Sequence, residues 1–93
     1  MPSIVVGARS YPCIGVMTIG RGETCDIVLP WAGGRGYIAR IQAQIAADAT
    51  GVTFRELSDD GSFINDQWIC NRTVTLADGD RIRIGVHELV FVA

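Results

Sequence analysis

The segment "MTIGRGETCDIVL" (residues 17–29) says most about the fold of this chain. A β-branched run ends at Gly20-Arg21, a polar turn follows, and a second short apolar strand stops at Pro30. Further along, "LADGDRIRIG" (residues 76–85) contains an Asp-Gly-Asp turn that begins a strand ending in glycine. Short β-branched runs bounded by such turns are typical of all-β domains. The two segments therefore predict a domain of short strands.

The remainder of the chain has the same character, because glycine, aspartate and proline separate runs of alternating polarity. The predicted strands are residues 4–6, 16–20, 27–29, 38–46, 52–57, 62–65, 67–70, 73–76, 81–84 and 88–92. Hairpin turns are expected at residues 48–51 and 58–62, and "PWAGGRGY" (residues 30–37) is expected to be a loop. About ten short, mostly antiparallel strands at this spacing predict a β-sandwich or barrel.

Residues 37–49 are the ambiguous part of the chain. Alternation predicts a strand with one buried face and one exposed face. The buried set is Ile41, Ala43 and Ile45, and the exposed set is Arg40, Gln42 and Gln44. A helix is the open alternative, because alanine and glutamine favour helix.

Composition limits the function. The 93 residues form one domain, and 48% hydrophobic content is typical of a compact core. A net charge of −2 gives no general attraction to nucleic acids or anionic membranes. The chain shows neither a signal peptide nor an apolar run long enough to cross a membrane. The chain has three cysteines without CxxC spacing, so neither disulfides nor a zinc site is predicted. We therefore expect a cytoplasmic protein without a cofactor or metal.

Two further features concern the origin of the chain. All eight basic residues are arginine, which codon bias in a GC-rich genome explains and which also suits bidentate anion contacts. The chain stops where its last predicted strand stops, and this is typical of a single domain cut from a longer protein.

Five motifs in this order resemble the forkhead-associated (FHA) domain family across residues 4–92. The family pattern is Gly-Arg, D-I-x-L, S-R-x-H, N-G-T/S-x-x-N and L-x-x-G-D-x-I-x-I-G. The chain has Gly20-Arg21 and "DIVL" (residues 26–29), and then "IARIQAQI" (residues 38–45). It continues with "DDGSFIN" (residues 59–65) and "LADGDRIRIG". The resemblance implies a β-sandwich that binds a phosphothreonine peptide with the loops at one end.

The resemblance also implies residue roles. The family arginine that binds phosphate corresponds to Arg21, followed by Gly22, and its guanidinium suits a phosphate. The alternative is an arginine that braces the loop against a nearby carboxylate. The family's Asn-Gly block, whose asparagine holds the peptide backbone, corresponds to Asp60, Gly61 and Ser62, with Asn65 at its end.

Three positions depart from the family. The phosphate-binding serine is Ala39, which has no hydroxyl, and a hydrogen bond to a charged group contributes about 1.5–3 kcal/mol. The bracing histidine is Gln42, which can also donate and accept. The peptide-holding asparagine is Asp60, which adds a negative charge near the phosphate position. Arg40 and Arg35 are the candidates to compensate.

Other residues with potential chemistry are interpreted structurally. His87 is the only histidine, no nucleophile motif accompanies it, and a surface position at a strand edge is expected. Asp59 and Asp60 are interpreted as solvated turn residues rather than a cation site. Trp31 and Trp68 are interpreted as packing residues, and an exposed Trp31 would suit a protein partner.

These observations predict a non-catalytic module that binds a protein or peptide, with weak or absent dependence on phosphothreonine. Its expected context is a scaffold in signalling or in bacterial secretion machinery, the latter by analogy with type III inner-membrane ring proteins. The alternative is a working phosphothreonine reader in Ser/Thr kinase signalling. An enzyme that uses Asp59, Asp60 or His87 is the least favoured interpretation.

Overall fold

The computed structural model describes residues 1–93, which form eleven strands in two packed sheets. The strands are β1 (Ser3–Val6), β2 (Arg9–Pro12), β3 (Val16–Gly20), β4 (Ile27–Val28), β5 (Ala43–Asp48), β6 (Gly51–Glu56), β7 (Ser62–Ile64), β8 (Gln67–Ile69), β9 (Thr73–Thr75), β10 (Arg81–Ile84) and β11 (His87–Val92). One sheet has the order β2-β1-β11-β10-β7-β8 and the other β4-β3-β5-β6-β9. All pairs are antiparallel except β3 with β4.

The predicted all-β sandwich is confirmed. The bounds of β3 and β10 match the predicted strands, and the predicted hairpin of β7 and β8 turns at Asn65-Asp66. Both turn residues have positive φ, 51° and 68°, as a two-residue hairpin of type I′ requires. No helix capable of spanning a membrane is present.

The inward faces of the two sheets form one hydrophobic core. Ile82 and Ile84 point inward while Arg81 and Arg83 point outward, as the alternation predicts. The largest fully buried side chain is Phe54 of β6. A continuous core of this kind holds the strands rigidly and fixes the positions from which the loops leave.

The prediction for residues 38–46 is wrong in its first half, and the helical alternative is wrong throughout. β5 starts only at Ala43, and residues 38–42 curl over the end of β3. The carbonyl oxygen of Arg40 lies 2.2 Å from the place where a Cβ on Gly20 would stand, so only glycine fits there. The curl breaks the alternation, because Ile41 is 48% exposed whereas Gln42 is fully buried.

β3, β6 and β10 all end at the same end of the sandwich, and β5, β7 and β11 begin there. The connecting residues 21–26, 29–42, 57–61 and 85–86 are hereafter called the loop end. At this end, Nε2 of His87 lies 2.9 Å from the carbonyl oxygen of Pro30. β11 runs away from the loop end to Val92, which pairs with Ser3. Ser3 and Val92 therefore lie at the opposite end of the sandwich.

Candidate functional site

Arg21 follows the last residue of β3 and stands at the loop end. Its Nε donates a hydrogen bond of 2.9 Å to the carbonyl oxygen of Ile38. Its guanidinium carbon lies 5.8 Å from the ring centroids of Trp31 and Tyr37, which pack edge to face at 4.7 Å. These contacts hold the guanidinium in place by cation–π attraction and one hydrogen bond.

Arg21 has no carboxylate partner. The chain has a single ion pair, between Arg81 and Asp66 at 3.0 Å. The terminal nitrogens of Arg21 make no hydrogen bond within the chain, so they remain available to an external acceptor. The loop-bracing alternative, in which a carboxylate pairs with this arginine, is not what the structure contains.

An open cleft lies beside Arg21 and is hereafter called the arginine cleft. It has a volume of about 410 Å³ and is lined by Arg21, Gly22, Glu23, Thr24 and Arg40. None of these side chains is apolar, and two of them are arginines. Of the two arginines predicted to compensate, Arg40 lines the cleft, whereas Arg35 is exposed elsewhere in the 29–42 loop and does not line it.

Gln42 connects two of the loops from inside the protein. Its Oε1 accepts a hydrogen bond of 2.8 Å from the amide of Ala39. Its Nε2 donates to Oε2 of Glu56 at 2.8 Å, to the carbonyl of Gly61 at 3.0 Å and to Oγ of Ser62 at 3.3 Å. The predicted bracing role therefore fits the geometry, but the prediction that Gln42 is exposed is wrong. Its side chain turns inward because it forms hydrogen bonds with four polar groups inside the protein.

Glu56, the last residue of β6, is the buried carboxylate under the loop end. Only 2% of the residue is exposed, and its Oε2 accepts from Gln42 and, at 3.3 Å, from the amide of Ser58. Its Oε1 is buried without a hydrogen-bond partner. Burial raises the pKa of Glu56, although hydrogen bonds from Ser62, Ser58 and Gln42 oppose the shift. The sequence contained a signal for it, since Val52, Phe54 and Glu56 share the inward period of β6.

The departures from the family pattern have distinct surroundings. Ala39 is half-buried and its amide is already used by Gln42. Asp60 is exposed, and its Oδ2 accepts a hydrogen bond of 3.2 Å from Oγ of Ser58. Ser62, which matches the family pattern, is buried, and its Oγ accepts a hydrogen bond from Gln42. Asp60 is exposed, Ala39 is half-buried and Gln42 is fully buried.

Asn65 lies outside the loop end. It occupies the turn between β7 and β8, at the opposite end of β7. Its Nδ2 donates to Asp80 at 2.8 Å, and its Oδ1 accepts from the amide of Arg81 at 2.9 Å. Asn65 therefore ties this turn to the start of β10, since the left-handed turn leaves its side chain beside that strand.

A second cleft of about 200 Å³ adjoins the loop end and is hereafter called the tyrosine cleft. It is lined by Gly36, Tyr37, Asp60, Gly61, Phe63, Arg83 and Gly85. No sequence pattern indicates Tyr37 or Arg83, because the cleft that they line is formed by loops and a strand from distant parts of the chain. Trp68, interpreted from the sequence as a packing residue, is instead 53% exposed, whereas Trp31 packs partly against the core.

The remaining candidates are the side chains that bind metals or act as nucleophiles. The structure contains no group of three or more His, Cys, Asp and Glu side chains that could hold a metal ion. His87 is half-buried with its ring at Pro30, and Cys13, Cys25 and Cys70 are free thiols. The arrangement consists of loops around two open clefts, which is suited to binding.

The fold and these clefts define a β-sandwich interaction domain. The FHA domain family model matches residues 17–85, and the chain therefore belongs to the FHA domain family. Members of this family are phosphopeptide-binding interaction modules that are generally non-catalytic. No curated protein matches the chain.

Solved structures support the assignment. The FhaA FHA domain, in a crystal structure with the intracellular domain of Rv3910, is 27% identical with a TM-score of 0.84, over 98% of this chain and 99% of that one. A structure from work on phosphothreonine-dependent FHA domain interactions is 27% identical, with a TM-score of 0.83, over 99% and 95%. Mycobacterium tuberculosis EmbR, in complex with a low-affinity phosphopeptide, is 33% identical with a TM-score of 0.85, over 98% of this chain and 24% of EmbR.

Proposed function

We propose that this domain is a non-catalytic module that binds a partner peptide at the loop end, with weak or absent dependence on phosphothreonine. One observation carries the proposal. Ala39 offers no hydroxyl to a phosphate, and its amide is already committed to Gln42 at 2.8 Å. The position that supplies a phosphate contact in the family therefore supplies no free donor here.

Two other features support the same conclusion. The guanidinium of Arg21 has no carboxylate partner, so one strong anion contact is kept. Asp60 replaces the asparagine that holds the peptide backbone, and its exposed carboxylate can accept hydrogen bonds but, when ionised, cannot donate them. A cytoplasmic scaffold in signalling or secretion machinery is the context we propose for such a module.

The alternative function is a working phosphothreonine reader in Ser/Thr kinase signalling. One observation favours it, because Arg40 lines the same cleft as Arg21. Two guanidinium groups on one cleft provide several charge-assisted donors to a phosphate, and these would substitute for the missing serine.

Matched peptides separate the two functions. The domain is titrated with degenerate peptide pools centred on phosphothreonine and with the same pools unphosphorylated. The proposed function predicts less than about tenfold discrimination, which is the factor that 1.4 kcal/mol provides. Tight binding of the phosphorylated pools alone, lost on Arg21→Ala and kept on Arg35→Ala, establishes the alternative. Arg35 is the matched control because it is an exposed arginine of the same end that lies outside the cleft.

Reverting the departures tests their cause. Ala39→Ser restores a hydroxyl, which contributes about 1.5–3 kcal/mol toward a charged acceptor. Asp60→Asn removes a negative charge and restores an amide donor. The combined variant is expected to bind phosphothreonine pools at least about tenfold more tightly than the natural chain, and Arg21→Ala should abolish the gain. Absence of any gain places the cause elsewhere, in residues 30–37.

A further inference from the structure

A row of aromatic and arginine side chains crosses the outer face of the six-stranded sheet. Trp68 of β8 is directly opposite Phe63 of β7, and Phe63 is directly opposite Arg83 of β10. Directly opposed residues point to the same face of a sheet. Trp68, Phe63 and Arg83 are hereafter called the aromatic–arginine row.

The row is outside the core. Trp68 is 53% exposed, Arg83 is exposed and Phe63 is half-buried. The neighbours Ile64, Ile69 and Ile82 are buried, so the alternation of the strands, and not a local distortion, turns the row outward. An exposed tryptophan on a regular strand presents a large apolar surface for which the chain provides no cover.

Arg83 has a fixed position and a free charge. Its guanidinium carbon lies 4.5 Å from the ring centroid of Phe63, a cation–π contact. The neighbouring Arg81 pairs with Asp66, whereas Arg83 forms no ion pair, even with Glu88 directly opposite on β11. Its guanidinium therefore remains available to a carboxylate from outside the chain.

The row is continuous with the loop end. Phe63 and Arg83 also line the tyrosine cleft, together with Asp60 of the loop. The indole nitrogen of Trp68 donates a hydrogen bond of 3.3 Å to the carbonyl of Asp60. Trp68 also covers Gly61, where an added Cβ would lie 2.2 Å from that nitrogen. The tyrosine cleft therefore connects the row with the loop end.

We propose that the aromatic–arginine row binds the flank of the same peptide segment that the loop end holds, taking an apolar side chain on Trp68 and Phe63 and an aspartate or glutamate on Arg83. The inference rests on the proposed function and deepens it. Tryptophan and arginine are the residue types that most often dominate binding energy at interfaces. Three strands spaced by about 4.8 Å make the row about 10 Å wide, which suits roughly three residues of an extended peptide.

The test compares peptide length. Long degenerate pools carry several random residues on each side of the central threonine, short pools carry one, and both are prepared with and without phosphate. The long pools are expected to bind about thirtyfold more tightly than the short ones, the gain typical of one interface hot spot. Their bound fraction should be enriched in apolar and acidic residues on one flank. Arg83→Gln and Trp68→Ala should remove the advantage of length, so that each variant binds the long and the short pools equally.

Controls make each outcome decisive. Ile14→Ala removes a 66% exposed apolar side chain in the turn between β2 and β3 and should change nothing. Arg83→Gln leaves the contacts of Trp68 with Asp60 and Gly61 intact. If the advantage of length is lost in Trp68→Ala but kept in Arg83→Gln, Trp68 acts only as a support of the loop and the inference is overturned. A dimer in sedimentation that Trp68→Ala dissociates assigns the row to a second copy and also overturns it. Equal binding of long and short pools overturns this inference alone, whereas binding of neither pool overturns the proposed function with it.

Discussion

Replacement of the buried Gln42 by alanine is the sharpest test of how the loop end is built. Gln42 is fully buried, and its four hydrogen bonds tie the 29–42 loop to the end of β6, to the 57–61 loop and to the start of β7. Gln44 is its matched control, because it lies two residues further on, on the outer face of β5, and its side chain makes no hydrogen bond. The two substitutions remove the same atoms from two different environments.

The magnitude follows from the groups left without partners. Gln42→Ala removes the hydrogen-bond partner of the Ala39 amide and of the Gly61 carbonyl, and it removes one of the donors to the Glu56 carboxylate. A buried polar group without a hydrogen-bond partner costs about 1–3 kcal/mol of unfolding free energy. Because water reaches the half-buried Ala39 and replaces its lost partner, we expect Gln42→Ala to lower the unfolding free energy by about 3 kcal/mol in total. Gln44→Ala should stay within about 0.5 kcal/mol. A domain of this size has about 5–15 kcal/mol in total, so the expected loss is a large share of it.

Urea denaturation followed by tryptophan fluorescence measures both variants. The slope of the unfolding free energy against urea should be unchanged, so that the difference reports stability alone. Amide hydrogen exchange should accelerate at Ala39 in Gln42→Ala. A stability difference of less than about 1 kcal/mol between the two variants would refute the view that Gln42 supports the loops.

Three further predictions concern neighbouring residues. Because burial raises the pKa of Glu56, the folded state holds the proton more tightly, and stability should fall as the pH rises from 4.5, the ordinary pKa, through the raised value. Glu56→Gln should remove this fall in urea titrations at several pH values, and parallel profiles of both proteins would contradict it. Gly61→Ala should lower the unfolding free energy by about 1–2 kcal/mol more than Gly79→Ala, because both glycines have positive φ but only at Gly61 would the Cβ meet Trp68. Equal urea midpoints of the two variants would show that the Trp68 indole moves aside without cost. Trp31→Leu removes a cation–π contact with Arg21 and should weaken binding of phosphothreonine pools by about two- to fivefold in anisotropy titrations, and unchanged affinity would mean that Arg21 is held without it.

The sequence predicted the parts of the fold that repeat locally. Alternation located β3 and β10 to the residue, and Asp48–Gly51 and Ser58–Ser62 were recognised as turns from their Gly and Asp content. β2 was not predicted, because Arg9–Pro12 is short, mostly exposed and contains a proline. Its residues therefore show no alternation of polar and apolar side chains. It is ordered as an edge strand by its pairing with β1.

The site was less predictable because its residues meet through distant contacts. The alternation that placed Gln42 outward fails where the chain curls around Gly20, and the inward partners Glu56, Gly61 and Ser62 lie fourteen to twenty residues away in the sequence. Trp68 is exposed because its cross-strand neighbour is Phe63 on an outer face, which sequence spacing within β8 cannot show. The resemblance to the family located Arg21 and the departures at Ala39 and Asp60, whereas their surroundings required three dimensions.

The pairing of Ser3 with Val92 determines how the domain responds to force. β1 and β11 are antiparallel neighbours, so tension applied through these two ends opens their ladder from one end. Antiparallel hydrogen bonds lie across the strands, and here they break one pair after another instead of sharing the load. Arg21 and Gln42 lie at the opposite end of the sandwich from the place where β1 and β11 separate first. A tether pulling on the chain would therefore detach the first strand before it distorted the clefts.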